Sequence, residues 1–368
     1  MSLTSSSAEQ KLAETYQQKT DIEHILDAPD TYIGPVDSDN IKYWTLNEND
    51  EITYQDYDFI GGLYKLFDEG IVNCRDHVIR LQQKKKNKEK NIVPVTEISI
   101  DVNRKTGVIT MYNDGNGIDV AKHPENDLWI PEMIFGHLRT STNYNKEEKK
   151  IVGGKNGFGF KLVLIYSKWG KIETVDHVRK KKYKQTFRDN LNIIEKPKIR
   201  KTTKGAYTKV EFLPDYERFG IKSLTDDMFN LFKKRTYDIG IVTDKSVKVK
   251  FNGKVVHNKN FEQYIDSYIG PKSETKRVYE KPNDRWEVVA CVSPLDEFTQ
   301  VSFVNGINTI KGGKHVEYLL NQIVRKLTAY IEKKKKINVK PTTIKEQIML
   351  FVNCVIENPS FDSQTKDF

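Results

Sequence analysis

Cysteine and histidine are scarce, at 3 and 7 among 368 residues. Cys74, Cys291 and Cys354 lie far apart, with no Cys-x-x-Cys pair and no histidine pattern beside them. This argues against a disulfide framework or a zinc site, and makes a reducing compartment the default. Long apolar runs are lacking too. None reaches the roughly 20 residues of a membrane-spanning helix, and Met1 to Gln10 has no apolar core of the kind a signal peptide needs. A soluble, intracellular protein with no membrane partner is expected. No internal repeat is visible.

What is abundant is charge, at 30% of residues, with a net +9 and a pI near 9.0. A basic balance fits an acidic partner such as nucleic acid, and equally a solvated, lysine-rich surface. The 37% hydrophobic and 11% aromatic shares suffice for cores. A chain of this length usually makes two domains.

Residues 1–21 are polar, with serines at 5–7, and suggest an arm. Pro29 to Pro35 is turn-rich. The pattern is helical from Leu63 to Arg80. Ile98–Val102 and Gly107–Tyr112 resemble paired strands, followed by a glycine turn at Asn113 to Gly117. A polar loop, Thr140 to Lys150, leads to a second glycine stretch, Gly153 to Gly159, and then to apolar Phe160–Ser167. Strands are predicted at Gly170–Val178, Tyr207–Leu213 and Val247–Phe251. A polar connection near Val256 divides the chain into an arm (1–21) and two domains (22–256 and 257–368). The second predicts strands at Trp286–Val292 and Gln300–Val304, a turn at Gly312-Gly313, a helix from Val316 to about Lys333, a lysine run, and a helix from Thr343 to Ile356. Mixed elements in both halves predict an α+β fold of two-layer domains.

On a helix at about 100° per residue, Glu69, Asn73, Asp76 and Arg80 form one stripe. Leu63, Phe67, Ile71, Cys74 and Val78 form the opposite one. An ordinary amphipathic helix divides in the same way. The polar stripe nevertheless stacks Glu, Asn and Asp instead of alternating Glu with Lys. A carboxylate can act as general base toward water, and an Asn oxygen is a suitable hard ligand for Mg²⁺.

The turn Asn113-Asp-Gly-Asn-Gly-Ile118 is a weak signal by itself, because Asp-Gly is common in hairpins. Gly153-Gly-Lys-Asn-Gly-Phe-Gly-Phe-Lys161 carries four glycines in seven residues, directly before an apolar segment of helical length. Such a loop offers unpaired N–H groups to phosphate oxygens. Neither the P-loop nor the dinucleotide fingerprint fits its spacing. A flexible surface loop would have the same composition.

In order, these motifs resemble the ATP-binding fold shared by type II topoisomerases, one class of heat-shock chaperones, histidine kinases and MutL-type repair proteins. The closer resemblance is to eukaryotic-type DNA topoisomerase II. It rests on Asp27–Gly34, Phe67–Asn73, Asn113–Ile118, Gly153–Lys161, Val301–Gly313 and Phe351–Lys366, and covers the chain after the arm. It implies a GHKL (Bergerat-type) ATP-binding α/β sandwich followed by a transducer with a ribosomal-protein-like fold. It also implies ATP and Mg²⁺ as ligands, a nucleotide-dependent homodimer, and a double-stranded DNA partner. The location implied is the nucleus, or a cytoplasmic viral factory or virion.

By that resemblance Glu69 is the general base and Asn73 the Mg²⁺ ligand, with Asp76 framing the nucleotide. Asn113 faces adenine, Thr208 lines the pocket, and Ser141, Thr142 and Asn143 contact ribose and phosphate. Backbone amides of Asn156, Gly157, Phe158, Gly159, Phe160 and Lys161 wrap the triphosphate, with the Lys161 ammonium on the phosphates. Gln364 and Lys366 reach the γ-phosphate from the second domain, and Tyr16 reaches the partner's nucleotide. Lys333, Lys334, Lys335 and Lys336 face the transported duplex, whereas Lys180–Lys182 should be an exposed strand-end surface.

A MutL-type repair ATPase would share the fold, but Ser363–Lys366 and Val301–Gly313 argue against it. A non-hydrolysing DNA-binding or chaperone module would need a degenerate site, yet Glu69, Asn73 and Lys161 are present. Gly70, His77 and Ala28 depart from the family pattern, and no ligand role is assigned to His77. The departures suggest a divergent member of the kind a large DNA virus or a protist encodes. No acidic metal-binding segment of the Glu-Gly-Asp type and no DNA-cleaving tyrosine region is found. ATP hydrolysis and gating are expected from this chain, without DNA cleavage.

Overall fold

A computed structural model describes residues 19–47, 49, 51–138, 159–256, 260–363, 365–366 and 368. Thr20 caps helix α1 (Asp21–Asp27) in a reciprocal box with Glu23, satisfying two otherwise unpaired donors. Helix α2 (Pro29–Tyr32) follows, then a hairpin of β1 (Ser38–Leu46) and β2 (Ile52–Ile60). Helix α3 (Gly61–Lys86) is the longest element at 26 residues, and it ends in Lys84, Lys85 and Lys86, whose charges suit a helix C-terminus. Strands β3 (Glu97–Val102) and β4 (Ile109–Asp114) are antiparallel, as predicted from their alternation.

Next come helices α4 (Ile130–Gly136) and α5 (Gly159–Ile165). Strands β5 (Ser167–Asp176), β6 (Lys181–Arg188), β7 (Ile193–Ile194), β8 (Lys198–Lys201) and β9 (Tyr207–Pro214) extend the sheet. Helix α6 (Asp226–Val242) leads to β10 (Lys248–Phe251) and β11 (Lys254–Val255). The resulting nine-stranded sheet runs β11-β10-β3-β4-β9-β5-β6-β7, with β8 also on β6. On β9, Val210 and Phe212 are buried. Between them Glu211 faces the other way, pairing with Lys171 at 3.3 Å. One covered face and one charged face make a two-layer arrangement. Helix α3 lies in the helical layer, where Phe67 stacks on Phe232 of α6 with ring centroids 4.2 Å apart.

Helix α7 (Phe261–Ile269) opens the next part, followed by β12 (Arg277–Asn283), β13 (Trp286–Val292), β14 (Thr299–Val304) and β15 (Ile307–Asn308). Helices α8 (Lys314–Lys335) and α9 (Pro341–Glu346) precede β16 (Ile348–Cys354). These strands form a second sheet in the order β12-β13-β16-β14-β15.

The expected helix over Thr343–Ile356 is thus wrong in most of its length. Only Pro341–Glu346 is helical, and Ile348–Cys354 is a central strand. It pairs with β13 on one side and, in parallel, with β14 on the other. Every residue of it but Asn353 is buried. A strand covered on both faces reads as a continuous apolar run, which periodicity cannot tell from a buried helix.

The hydrophobic core is continuous from Ile25 to Phe351 and crosses between the sheets. Helix α7 makes the crossing. Tyr268 meets Phe351 at 5.3 Å between centroids, and Tyr264 meets Phe303 at 6.4 Å. A second cluster joins Val316, Leu320 and Val324 of α8 to β16. No helix among the described residues is long and apolar enough to cross a membrane.

Candidate functional site

The two stripes of α3 do not divide core from water. Leu63, Phe67, Ile71, Cys74 and Val78 are buried, as expected for a core stripe. On the opposite stripe Glu69 is only 5% exposed and Asp76 only 1%. A solvated helix face would not bury two carboxylates, since that costs free energy unless they find partners. The polar stripe lines an interior site.

Glu69 has two partners. Lys65, one turn earlier on α3, places Nζ 2.7 Å from Oε1. Lys366, far along the chain, donates from Nζ to the same oxygen at 3.0 Å. All three side chains are nearly inaccessible. Burial opposes ionisation of Glu69, but the Lys366 and Lys65 ammonium groups outweigh it and hold the carboxyl down to about 2. Burial likewise works against the Lys366 ammonium, and the Glu69 carboxylate more than offsets it, leaving its pKa raised. The other carboxylate oxygen faces the start of α5. A Cβ on Gly159 would fall 2.2 Å from Oε2, so the start of α5 and the acid can approach this closely only because residue 159 has no side chain.

Lys161, on the first turn of α5, is 2% exposed, and burial pushes its ammonium down to about 8. Phe160 turns its ring into the core, edge-on to Phe135 at 5.3 Å and Phe212 at 6.0 Å. Asn73 is half-buried one turn beyond Glu69.

Asn113 and Thr208 come together at the ends of β4 and β9, where they are register partners. Thr208 Oγ1 lies 3.0 Å from Thr174 Oγ1, and Asn113 is 6% exposed with Nδ2 donating to the Asp114 carbonyl at 2.8 Å. Asp114 is structural: Oδ1 accepts from the Thr96 and Glu97 amides at 2.7 and 2.8 Å. His77 lies on the same side of α3. Its Nε2 is 2.8 Å from the Asn116 carbonyl, to which it must donate, and burial lowers its pKa to about 4. His77 therefore stays neutral and pins the glycine turn to α3.

Gly70 also has a structural account. Met111 Sδ of β4 lies 2.3 Å from where a Gly70 Cβ would be, so a methionine from the sheet fills the space a larger helix residue would take. Lys65 was missed in the sequence, although Lys65 and Glu69 at i and i+4 are a recognisable helical ion-pair spacing. Thr174 was missed as well, and nothing local singles it out.

Tyr16, Ser141, Thr142, Asn143, Asn156, Gly157, Phe158 and Gln364 lie outside the described residues. Lys333 to Lys336 are all exposed at the end of α8, where Lys336 takes φ 57° and closes the helix. The expectation for Lys180–Lys182 needs correction. Lys180 is exposed, but Lys182 is half-buried and pairs with Glu173 at 2.6 Å, because its strand position points it at a carboxylate on β5.

A buried lysine, a glycine edge open to close approach, an amide oxygen beside a buried carboxylate and a polar strand end suit a nucleoside polyphosphate with a hard divalent cation. An anion next to Lys161 would offset the burial that depresses its pKa.

Comparison with known proteins gives a consistent picture. The DNA gyrase B family model matches residues 254–368. A DNA topoisomerase 2 of Acanthamoeba polyphaga mimivirus is 44% identical, over 100% of this chain and 29% of its own length. The ATPase region of Saccharomyces cerevisiae topoisomerase II superposes with a TM-score of 0.87 at 39% identity, covering 96% of this chain and 90% of that one. The ATPase and transducer domains of DNA topoisomerase II from Balamuthia mandrillaris give 0.86 at 37% identity, covering 96% and 88%. The chain therefore spans less than a third of the full-length viral relative, and nearly the whole of the two solved fragments.

Proposed function

We propose, since the chain belongs to the type II DNA topoisomerase family as its N-terminal ATPase region, that it binds and hydrolyses Mg-ATP and closes as a two-copy clamp on a DNA duplex. The family architecture is a GHKL-type ATPase fold followed by a transducer, and the two sheets correspond to it. We place the ATPase domain at 22–256 and the transducer at 257–368, after an arm at 1–21. The change of sheet and the gyrase B match beginning at residue 254 support that division.

The single observation that carries the mechanism is the Glu69 carboxylate held between Lys65 and Lys366 against Gly159. Glu69 is the general base toward water. With its pKa near 2 it is a poor one, because efficient bases titrate near the working pH. Lys366 is the group that can change this. Drawn from Glu69 to the γ-phosphate, it would let the carboxyl pKa rise and would place its charge where negative charge concentrates during phosphoryl transfer. Lys161 and the amides of 156–161 bind the phosphates, with Gln364 beside Lys366. Asp76, Asn113 and Thr208 frame the nucleoside, and Ser141, Thr142 and Asn143 contact ribose and phosphate. Mg²⁺ at Asn73 would neutralise charge on the phosphate oxygens.

Lys366 belongs to the transducer and Glu69 to the ATPase domain, so the nucleotide state can set the angle between them. Tyr16 is assigned to the partner's nucleotide. The workplace proposed is the nucleus, or a viral factory or virion for a viral enzyme.

The test is ATP turnover by the purified chain. Glu69→Gln should keep nucleotide affinity and lose ~10²–10⁴-fold in kcat. Light scattering should show a monomer when empty and a dimer with a non-hydrolysable ATP analogue and Mg²⁺. Near-wild-type turnover of Glu69→Gln would overturn the catalytic assignment, and an unchanged mass would overturn the clamp.

A further inference from the structure

Two buried arginines of the first sheet's helical layer converge on one turn of the second sheet. The turn is Asn305-Gly306 between β14 and β15, with φ of 52° and 81°. Arg75 of α3 donates from Nη1 to the Asn305 carbonyl at 2.7 Å and from Nε to the Val242 carbonyl at 2.9 Å. Arg235 of α6 donates from Nη2 to the Gly306 carbonyl at 2.7 Å and from Nε to Asp68 at 2.6 Å. A Cβ on Gly306 would fall 2.5 Å from Arg75 Cδ, so the guanidinium fits only against glycine. Burying a guanidinium costs free energy unless its donors are matched, and well-packed apolar residues would stabilise as well without specifying direction. The contact is therefore a geometric one.

Asn305 passes the constraint on. Its Nδ2 donates to the Ile356 carbonyl at 2.9 Å and its Oδ1 accepts the Ile356 amide at 2.8 Å. Its own amide donates to the Cys354 carbonyl at 2.9 Å. Ile356 is the root of the segment that leads to Lys366. Lys366 in turn meets Glu69, on the same helix as Arg75 and less than two turns before it. Helix α3 is thus touched at two points, by the β14–β15 turn and by the segment that Ile356 begins, and Asn305 bonds the one to the other. Lys366 itself has φ 62°, a conformation that persists in a non-glycine residue only when its surroundings fix it.

We propose that Arg75 is a positioning residue for Lys366: through Asn305 and Ile356 it fixes the place from which the Lys366 ammonium, which stands at Glu69 here, reaches the γ-phosphate. This rests on Glu69 and Lys366 working together in ATP hydrolysis. A small shift of α3 against the second sheet is then felt at Lys366, since a misplacement on the order of 1 Å can cost up to ~10²-fold in rate.

The experiment is a double-mutant cycle on ATP turnover by the whole chain. Arg75→Met removes the fork. Asn305→Gly keeps the turn conformation and the carbonyl that Arg75 uses, but cuts the link to Ile356, and it carries the test if Arg75→Met does not fold. Each variant should lower kcat about 10-fold or more while leaving KM for ATP nearly unchanged. In a Lys366→Ala background neither should lower it further, because the group they position is gone. Hydrogen exchange at the Ile356 amide should speed up in both. Equal fold-losses with and without Lys366, or wild-type kcat in both variants, would overturn the proposal. If Lys366→Ala alone leaves kcat unchanged, the assignment of Lys366 falls first, and the role of Arg75 with it.

Discussion

The Lys366 ammonium lies 3.0 Å from the Glu69 carboxylate, joining residues 297 positions apart. The contact ties the segment after the second sheet to helix α3, whose Glu69 we propose as the general base, and it favours the charged form of both groups. Its consequences can be measured.

Removing Lys366 should move the acid limb of the pH–rate profile. Glu69 is held near 2 against burial by its two lysines. Taking one cation away lets burial count for more, so the carboxyl pKa rises and protonation cuts into activity at higher pH. Lys366→Ala should therefore lose activity on acidification sooner than wild type, besides a drop in kcat on the order of 10². A profile of kcat/KM over pH 4–8 checks this, and an unshifted acid limb would mean that Lys366 does not face Glu69 in the free enzyme.

Lys161 should govern binding rather than turnover. Burial holds its ammonium near 8. Phosphates bind the charged form, so nucleotide affinity should fall as pH rises past about 8. Lys161→Ala should weaken binding and remove that dependence. Titration calorimetry at several pH values measures both, and an alkaline loss that survives in Lys161→Ala would point to another group.

Gly159→Ala tests the close approach of α5 and the acid. A methyl there meets the Glu69 carboxylate, which cannot easily swing away because Lys65 and Lys366 hold it. We expect a large loss of kcat together with a fall in thermal stability of about 1–3 kcal/mol from the overpacking. Full turnover in a folded Gly159→Ala would show that the start of α5 and Glu69 do not meet in this way during catalysis.

The four exposed lysines at the end of α8 should report on DNA. Changing Lys333, Lys334, Lys335 and Lys336 to alanine should lower DNA-stimulated ATPase activity while basal turnover stays unchanged. The salt dependence of DNA binding should flatten by about one log–log unit for each phosphate that is no longer neutralised. Lys180–Lys182 is unsuitable as the control, because Lys182 neutralises Glu173. Lys85, Lys86, Lys88 and Lys90 are an exposed set of equal charge at the end of α3. Equal losses from both sets would mean that net charge, and not a placed contact, is responsible.

The sequence by itself determined whatever is written locally. Alternation predicted β3 and β4, the helical period placed Leu63 to Val78 on one buried stripe, and the glycine pattern marked Gly159 and Lys161. The order of the motifs along the chain was enough to point to the topoisomerase II family. Three things needed the tertiary structure. Ile348–Cys354 became a strand because β13 and β14 offer it hydrogen bonds on both sides, and an apolar run alone does not choose. The polar stripe of α3 became an interior site because other elements cover it; helical periodicity fixes which residues share a face but not what lies opposite. Glu69 met Lys366, and Arg75 met Asn305, because the two sheets share one core. Contacts between residues this far apart in the chain leave no periodic trace in it, so only the folded chain decides them.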